Sequence, residues 1–137
     1  MISATTTGLI AEYIACAALL SLELRVAMAA QDKVDLVAWD DDRFYRVQVK
    51  SSTMKFQPGR QPGYHFGLAS GSKKKILPKV SDYDMVCLVA VDDRRCAFYA
   101  TEQINQFTKR MPRRRFETPQ IEAETLARAI EIIKART

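Results

Sequence analysis

Histidine is almost missing from this chain: His65 is the only one in 137 residues. A zinc site built on histidines, or a catalytic triad that turns on an imidazole, has little to work with. Alone in a glycine-rich stretch, His65 reads as a loop side chain rather than a base. Cysteine is scarce as well. Cys16, Cys87 and Cys96 are widely spaced, form no C-x-x-C pair, and read as small buried hydrophobes in a reducing compartment. The phosphate-cradling pattern G-x-x-x-x-G-K-[ST] does not occur, although 67–75 is rich in glycine and lysine. No lysine or arginine precedes Arg25, so the basic leader of a secretory signal is lacking. The apolar run from Leu9 to Leu20 is short for a bilayer and carries Glu12. A cytoplasmic protein is expected. No internal repeat or low-complexity segment breaks the chain, and its length suits one domain, 1–137, around one core.

What is present has a definite sign. Lysine and arginine exceed aspartate and glutamate by 21 to 16, a formal charge of +5. Such a balance favours a polyanionic partner, nucleic acid first. The cations gather in two places. One is the turn-rich segment 51–75, broken by Pro58-Gly59 and Pro62-Gly63, which carries Lys55, Arg60, Lys73, Lys74 and Lys75. The other is 109–115, with five cations in seven residues, including Arg113, Arg114 and Arg115. The first reads as a mobile loop and the second as a charge run that Pro112 keeps from being one continuous helix, each of them solvated or laid along a phosphate backbone.

The stretch that organises the rest is 33–52, KVDLVAWDDDRFYRVQVKSS. Val34 to Trp39 is apolar and rich in β-branched residues, Asp40-Asp41-Asp42 signals a turn, and Phe44 to Lys50 alternates with period two. Tyr45, Val47 and Val49 therefore share one face of the second strand, and Arg46, Gln48 and Lys50 the other. Asp35 sits inside an apolar run, where a carboxylate is expensive to bury unless it has a partner or a metal. Upstream, an apolar helix is expected over 8–22, lying against a sheet, with Glu12 among small and apolar neighbours. That glutamate is either on a narrow exposed edge or aimed at something specific. Further strands are expected at 23–29, 84–91 and 95–100, with an edge strand at 64–69. A short helix capped by Thr101 is expected over 101–108, and an amphipathic helix over 119–135. The order is α+β, with a mixed or antiparallel sheet between helices.

An acid on one strand beside Gln-x-Lys on the next suits a divalent cation held against a phosphate. Magnesium asks for oxygen donors and keeps several waters, so one or two carboxylates suffice. Asp35 offers a carboxylate, Val49 its backbone carbonyl and Gln48 its amide oxygen. Glu12 can complete the shell from the helix. Lys50 can orient the attacking water and offset charge on the phosphate. The bland alternatives stand beside this: Asp35 capping a turn, Gln48 pairing across the sheet, Lys50 at a solvated strand end.

Gly8-x-x-x-Glu12, then Asp35, then Gln48-Val49-Lys50 resembles the PD-(D/E)XK nuclease superfamily, and the order of elements matches from Gly8 to roughly Ala100. The helix glutamate is similar to that of the archaeal Holliday-junction resolvases. The VQVKSS wording is closer to a subgroup that includes a group I intron homing endonuclease. The resemblance implies a restriction-endonuclease-like core, with a central mixed sheet of about five strands flanked by helices. It also implies a divalent-metal-dependent DNA endonuclease using Mg²⁺, with Mn²⁺ as a substitute. Asp35 would be the principal metal ligand, Gln48 the second-acid position, Lys50 the catalytic lysine and Glu12 an accessory acid. Cleavage of both strands would then require a homodimer or a higher oligomer. Two departures stand out: Val34 replaces the family's proline, and Gln48 puts an amide where a carboxylate is usual. The amide keeps a second class open, a catalytically silent DNA-binding or assembly module on the same fold. A structural protein with merely solubilising basic loops is the third.

Overall fold

The computed structural model describes residues 2–71 and 73–136. Its elements in chain order are α1 (Ala4–Ser21), β1 (Arg25–Gln31), β2 (Val34–Trp39), β3 (Phe44–Ser52), β4 (Gly63–Gly67), β5 (Met85–Ala90), β6 (Arg95–Ala100), β7 (Thr108–Pro112), α2 (Arg113–Glu117) and α3 (Ile121–Lys134). Five strands form one sheet in the order β1-β2-β3-β5-β6. β3 and β5 run parallel and the other neighbours antiparallel, so the sheet is mixed and the fold is α+β.

Period-two alternation sorts the sheet into two faces. Cys87 and Val89 of β5 join Leu36, Tyr45, Val47 and Phe98 in one core cluster. Ala11, Ala15 and Leu19 of α1 and Leu126, Ala129 and Ile133 of α3 seal that face. Val86, Leu88 and Ala97 point the other way and are covered by Tyr64 and Phe66 of β4, Met111 of β7 and Phe116 of α2. β5, buried along its whole length, is the strand that both faces share.

Three expectations change. The first helix starts at Ala4 rather than at Gly8, because the Ser3 hydroxyl accepts from the Thr6 amide at 3.1 Å and caps it. That adds length: by composition alone α1 would pass for a membrane span, with mean hydropathy 1.3. Only one side of α1 meets the sheet, and Leu9, Tyr13 and Leu20 are exposed on the other. The helix expected over 101–108 is one 3₁₀ turn, Thr101–Gln103, since the Thr101 hydroxyl donates to the Tyr83 carbonyl instead of capping. The charge run at 109–115 is regular structure. Lys109, Arg110 and Met111 belong to β7, which pairs with β4 in a separate antiparallel ribbon. Pro112 closes that strand and caps α2, both positions where a missing N–H is harmless. The strand expected near 64–69 is thus real, but it lies in the ribbon and not on the main sheet.

Gly63, where the ribbon begins, has no room for a side chain. A Cβ there would stand 2.8 Å from the Met111 carbonyl oxygen, which is backbone and cannot swing aside. Gly63→Ala is expected to destabilise the protein by about 1–3 kcal/mol, read as a lowered chemical-denaturation midpoint. An unchanged midpoint would mean that the ribbon carries little of the fold's stability.

Candidate active site

The site forms where two strands part. The β2–β3 ladder runs from Trp39↔Phe44 to Leu36↔Val47. Beyond that point β3 continues beside β5, from Val47↔Met85 to Ser52↔Ala90. The Val49 amide, on the side facing β2, would be left without a partner. Asp35 supplies one: its Oδ2 accepts from the Val49 N–H at 2.8 Å and from the Gln48 amide nitrogen at 2.8 Å. Within an extended strand the N–H and C=O of one residue point the same way, so the Val49 carbonyl faces the same gap. Oδ1 of Asp35 accepts from no protein donor among the described residues.

Glu12 completes this group from the helix. Burial, and after it the charge of Asp35, raise its carboxyl above the usual glutamate range. The two acids therefore sense each other across the gap between helix and fork. Gln48 and Lys50, two residues apart on one face, line a cleft of about 280 Å³. Hydrogen bonds join Asp35, Gln48 and Val49, Lys50 shares the cleft wall with Gln48, and Glu12 feels the charge of Asp35. No group of three or more histidine, cysteine or acidic side chains arranged for a metal occurs among the described residues. The oxygens that could hold a cation are instead those of two carboxylates, one amide and one backbone carbonyl. That all-oxygen set fits a hard divalent cation which keeps part of its water shell, and not a closed cage of soft ligands.

The family signature of the PD-(D/E)XK endonucleases matches residues 2–132, nearly the whole chain. The chain belongs to the PD-(D/E)XK endonuclease family. That family is one of nucleases, so DNA is the implied substrate, and its members generally use divalent metals. Among solved structures, a bacterial homing endonuclease superposes with a TM-score of 0.73, covering 99% of this chain and 100% of that one at 18% sequence identity. At that identity the likeness speaks for the fold. No curated protein sequence matches the chain.

Beyond the family motif, the cleft has walls that spacing did not reveal. Asp32 and Lys33 come from the β1–β2 turn, Ala69 to Gly71 from the loop after β4, and Pro78 and Tyr83 from the approach to β5. Lys33 adopts a left-handed backbone (φ 65°), and its Nζ lies 3.3 Å from Asp82 Oδ1, pinning that turn to the segment before β5. The positive φ is what a turn of this tightness asks for, and no local motif announces it.

The predicted DNA-contacting cations are spread over three places. Lys73, Lys74 and Lys75 are exposed, just after the Ala69–Gly71 wall of the cleft. Lys55 lines a second groove of about 440 Å³ beside Ser51, Ser52, Thr53 and His65, at the far end of β3. Arg60 is exposed in the loop beyond it. Arg114 and Arg115 project from α2, and Arg113 is engaged by Asp93 at 3.2 Å and Glu117 at 3.7 Å.

Proposed function

We propose that this PD-(D/E)XK family member is a divalent-metal-dependent endodeoxyribonuclease that hydrolyses DNA phosphodiester bonds, with 1–137 acting as one nuclease domain. The observation that carries the reading is the Asp35 carboxylate. One oxygen is fixed by Val49 and Gln48, the other accepts from no protein donor among the described residues, Glu12 feels the charge of the group, and Gln48 leads from it to a cleft that Lys50 also lines. Asp35 is the principal ligand in this reading, with the Val49 carbonyl, the Gln48 amide oxygen and Glu12 as the remaining protein donors. Mg²⁺ is the expected ion, with Mn²⁺ as its substitute. When bound, the metal supplies Lewis-acid stabilisation of phosphate charge and a lowered pKa for its water.

Each side chain then has a separate task. Lys50 places a cation where the attacking water and the phosphate oxygens meet, orienting the first and offsetting the charge on the second. Gln48, donating to Asp35, keeps the acid aimed at the gap. Glu12 draws positive charge to the helix side of the site. Lys55, Arg60, Lys73, Lys74, Lys75, Arg113, Arg114 and Arg115 hold the flanking phosphates, a contribution that weakens as salt rises. One site per chain cuts one strand, so double-strand cleavage calls for a homodimer or higher homo-oligomer. Homing, restriction-like cleavage and junction resolution are the roles to separate.

The test is cleavage of supercoiled plasmid and of a branched DNA in Mg²⁺ or Mn²⁺, with and without chelator, comparing wild type with Lys50→Ala. Metal-requiring cleavage that falls at least ~100-fold in the variant is expected. A preference between the two substrates then narrows the role. The amide of Gln48 keeps a second reading in play, a silent DNA-binding module, because it removes one negative charge from the donor set. Salt-sensitive binding with no cleavage under any metal would favour it. Gln48→Glu separates the two further. The added carboxylate is expected to lower the metal concentration for half-maximal activity by about tenfold, since cation affinity follows ligand charge. An unaltered metal dependence would take Gln48 out of the site.

A further inference from the structure

The side of α1 that faces away from the sheet is apolar along its length. Leu9, Tyr13 and Leu20 are spaced by four and seven residues, so they stand in one row along the helix. They are 47%, 62% and 55% exposed. Cys16, half-buried, fills the turn between Tyr13 and Leu20, and its Sγ lies 3.7 Å from Met28 Sδ. Met28 is exposed on β1, an edge strand of the main sheet, so the apolar surface continues from the helix to the sheet edge. Beside the row runs a groove of about 450 Å³. Ile10, Ile14 and Ala17 line it from the helix, Arg94 from the β5–β6 turn and Glu122 from α3.

Charge, shape and area together say what covers this face. Glu12 is the only charged residue among the eighteen of α1, in a chain of formal charge +5. It stands on the flank of the helix towards Asp35, whose charge it feels. Two copies of so basic a chain repel through their cations, and α1 brings none to a contact. A helix that lies on lipid carries lysine and arginine on its polar face, so a membrane does not fit α1. A ridge and a groove side by side are self-complementary, since a two-fold axis lays the ridge of each copy in the groove of the other. Arg94 and Glu122 suit the same symmetry, because each copy offers both partners of an ion pair. Leu9, Tyr13, Leu20 and Met28 together expose on the order of 500 Å². With the groove walls added, the face approaches the roughly 800 Å² per partner that a stable dimer buries. We propose that this face is a homodimer interface, α1 of one copy packed against α1 of a second about a two-fold axis, pairing the two sites that double-strand cleavage needs. The proposal deepens the nuclease reading, on which its purpose rests, by naming the surface that makes the oligomer.

Tyr13→Glu and Leu20→Glu each put a charge on an exposed point of the row. Sedimentation equilibrium of the full chain, from about 1 to 100 µM, is expected to show wild type as a dimer and each variant as a monomer. That is a loss of at least ~100-fold in association. Far-UV circular dichroism is expected to be unchanged, and Leu9→Ser, a milder change on the same row, repeats the test if either variant fails to fold. Phe107→Glu is the control. Phe107 is 43% exposed, and its carbonyl accepts from Leu68 in the layer under the opposite face of the sheet, so this variant should stay a dimer. A wild-type monomer at 100 µM overturns the proposal, whether or not the protein then binds vesicles or another protein. So does a dimer that survives all the α1 substitutions, or one that Phe107→Glu breaks equally. Plasmid cleavage is scored separately. If wild type is a dimer and cuts nothing, the nuclease reading fails and the interface stands. If it cuts, the monomeric variants should still nick, with linear product reduced about tenfold or more. Linear product at the wild-type rate from a monomeric variant overturns the pairing of sites across this face.

Discussion

Replacing Asp35 by asparagine is expected to lower DNA cleavage by about 10³-fold or more while leaving the fold in place. That fall corresponds to roughly 4 kcal/mol of transition-state stabilisation, the size expected when the acid that anchors a metal-assisted hydrolysis loses its charge. The fold is expected to survive because an asparagine carbonyl can still accept from the Val49 N–H, which Asp35 now holds at 2.8 Å. A second readout needs no activity. Glu12 is raised partly by the charge of Asp35, so in metal-free Asp35→Asn its carboxyl should titrate at lower pH, while the part due to burial remains. NMR titration of the Glu12 side chain checks this. Cleavage near the wild-type rate in the variant would remove Asp35 from the chemistry, whatever happens to Glu12.

Asp84→Ala is expected to destabilise the protein by about 3 kcal/mol, or roughly 10 °C in thermal midpoint for a chain of this size. Asp84 is 6% exposed and binds three groups from two distant parts of the chain. It accepts from the Arg46 backbone at 2.8 Å, from the Arg46 guanidinium at 3.1 and 3.2 Å, and from Arg136 at 2.7 Å. Removing it takes the carboxylate from Arg46, which keeps only the Val80 and Ser81 carbonyls, and one of two carboxylates from Arg136, which keeps Glu102. Both side chains retain some solvent contact, 40% for Arg46 and 18% for Arg136, which places the expected loss at the lower end for a broken buried pair. Burial pushes the Asp84 carboxyl up, but the bonds from Arg46 and Arg136 outweigh it and hold the group below the usual aspartate range. With the folded pKa depressed, the stabilisation is complete above the unfolded value near 4 and fades as pH falls through the folded one. The gap in midpoint between wild type and Asp84→Ala should therefore be full at pH 6 and narrow below about pH 4. A gap that stayed constant into acid would mean that Asp84 acts through packing and not through its charge.

The parts of the site that local chemistry writes were legible. A strand's period of two places Gln48 and Lys50 on one face, and a lone acid in the apolar run of β2 marks Asp35 as purposeful. Glu12 stood out because nothing around it on α1 is polar enough to hold it. What stayed hidden depends on contacts distant in sequence. β4 and β7 are separated by two strands of another sheet, and their pairing is decided by Tyr64, Phe66, Met111 and Phe116 packing under the main sheet. Seen locally, Thr101-Glu102 looks like a helix start and 109–115 like a solvated charge run. Tyr83 was one aromatic beside a buried strand, and only the folded chain shows that its hydroxyl lacks a partner among the described residues. Lys33 likewise carries no local mark of the wall it forms.

The fork between β2 and β3 ties the chemistry to the breathing of the sheet. The rung that joins Val49 to β2 is a hydrogen bond to a side chain, where neighbouring rungs run backbone to backbone, and that side chain is also the proposed metal ligand. Any ion that draws charge from the Asp35 carboxylate weakens that rung, and any opening of the fork lets the carboxylate drift. Occupancy of the site should thus be readable in the exchange rate of one backbone amide hydrogen, that of Val49, against the steady protection of its neighbours paired to β5.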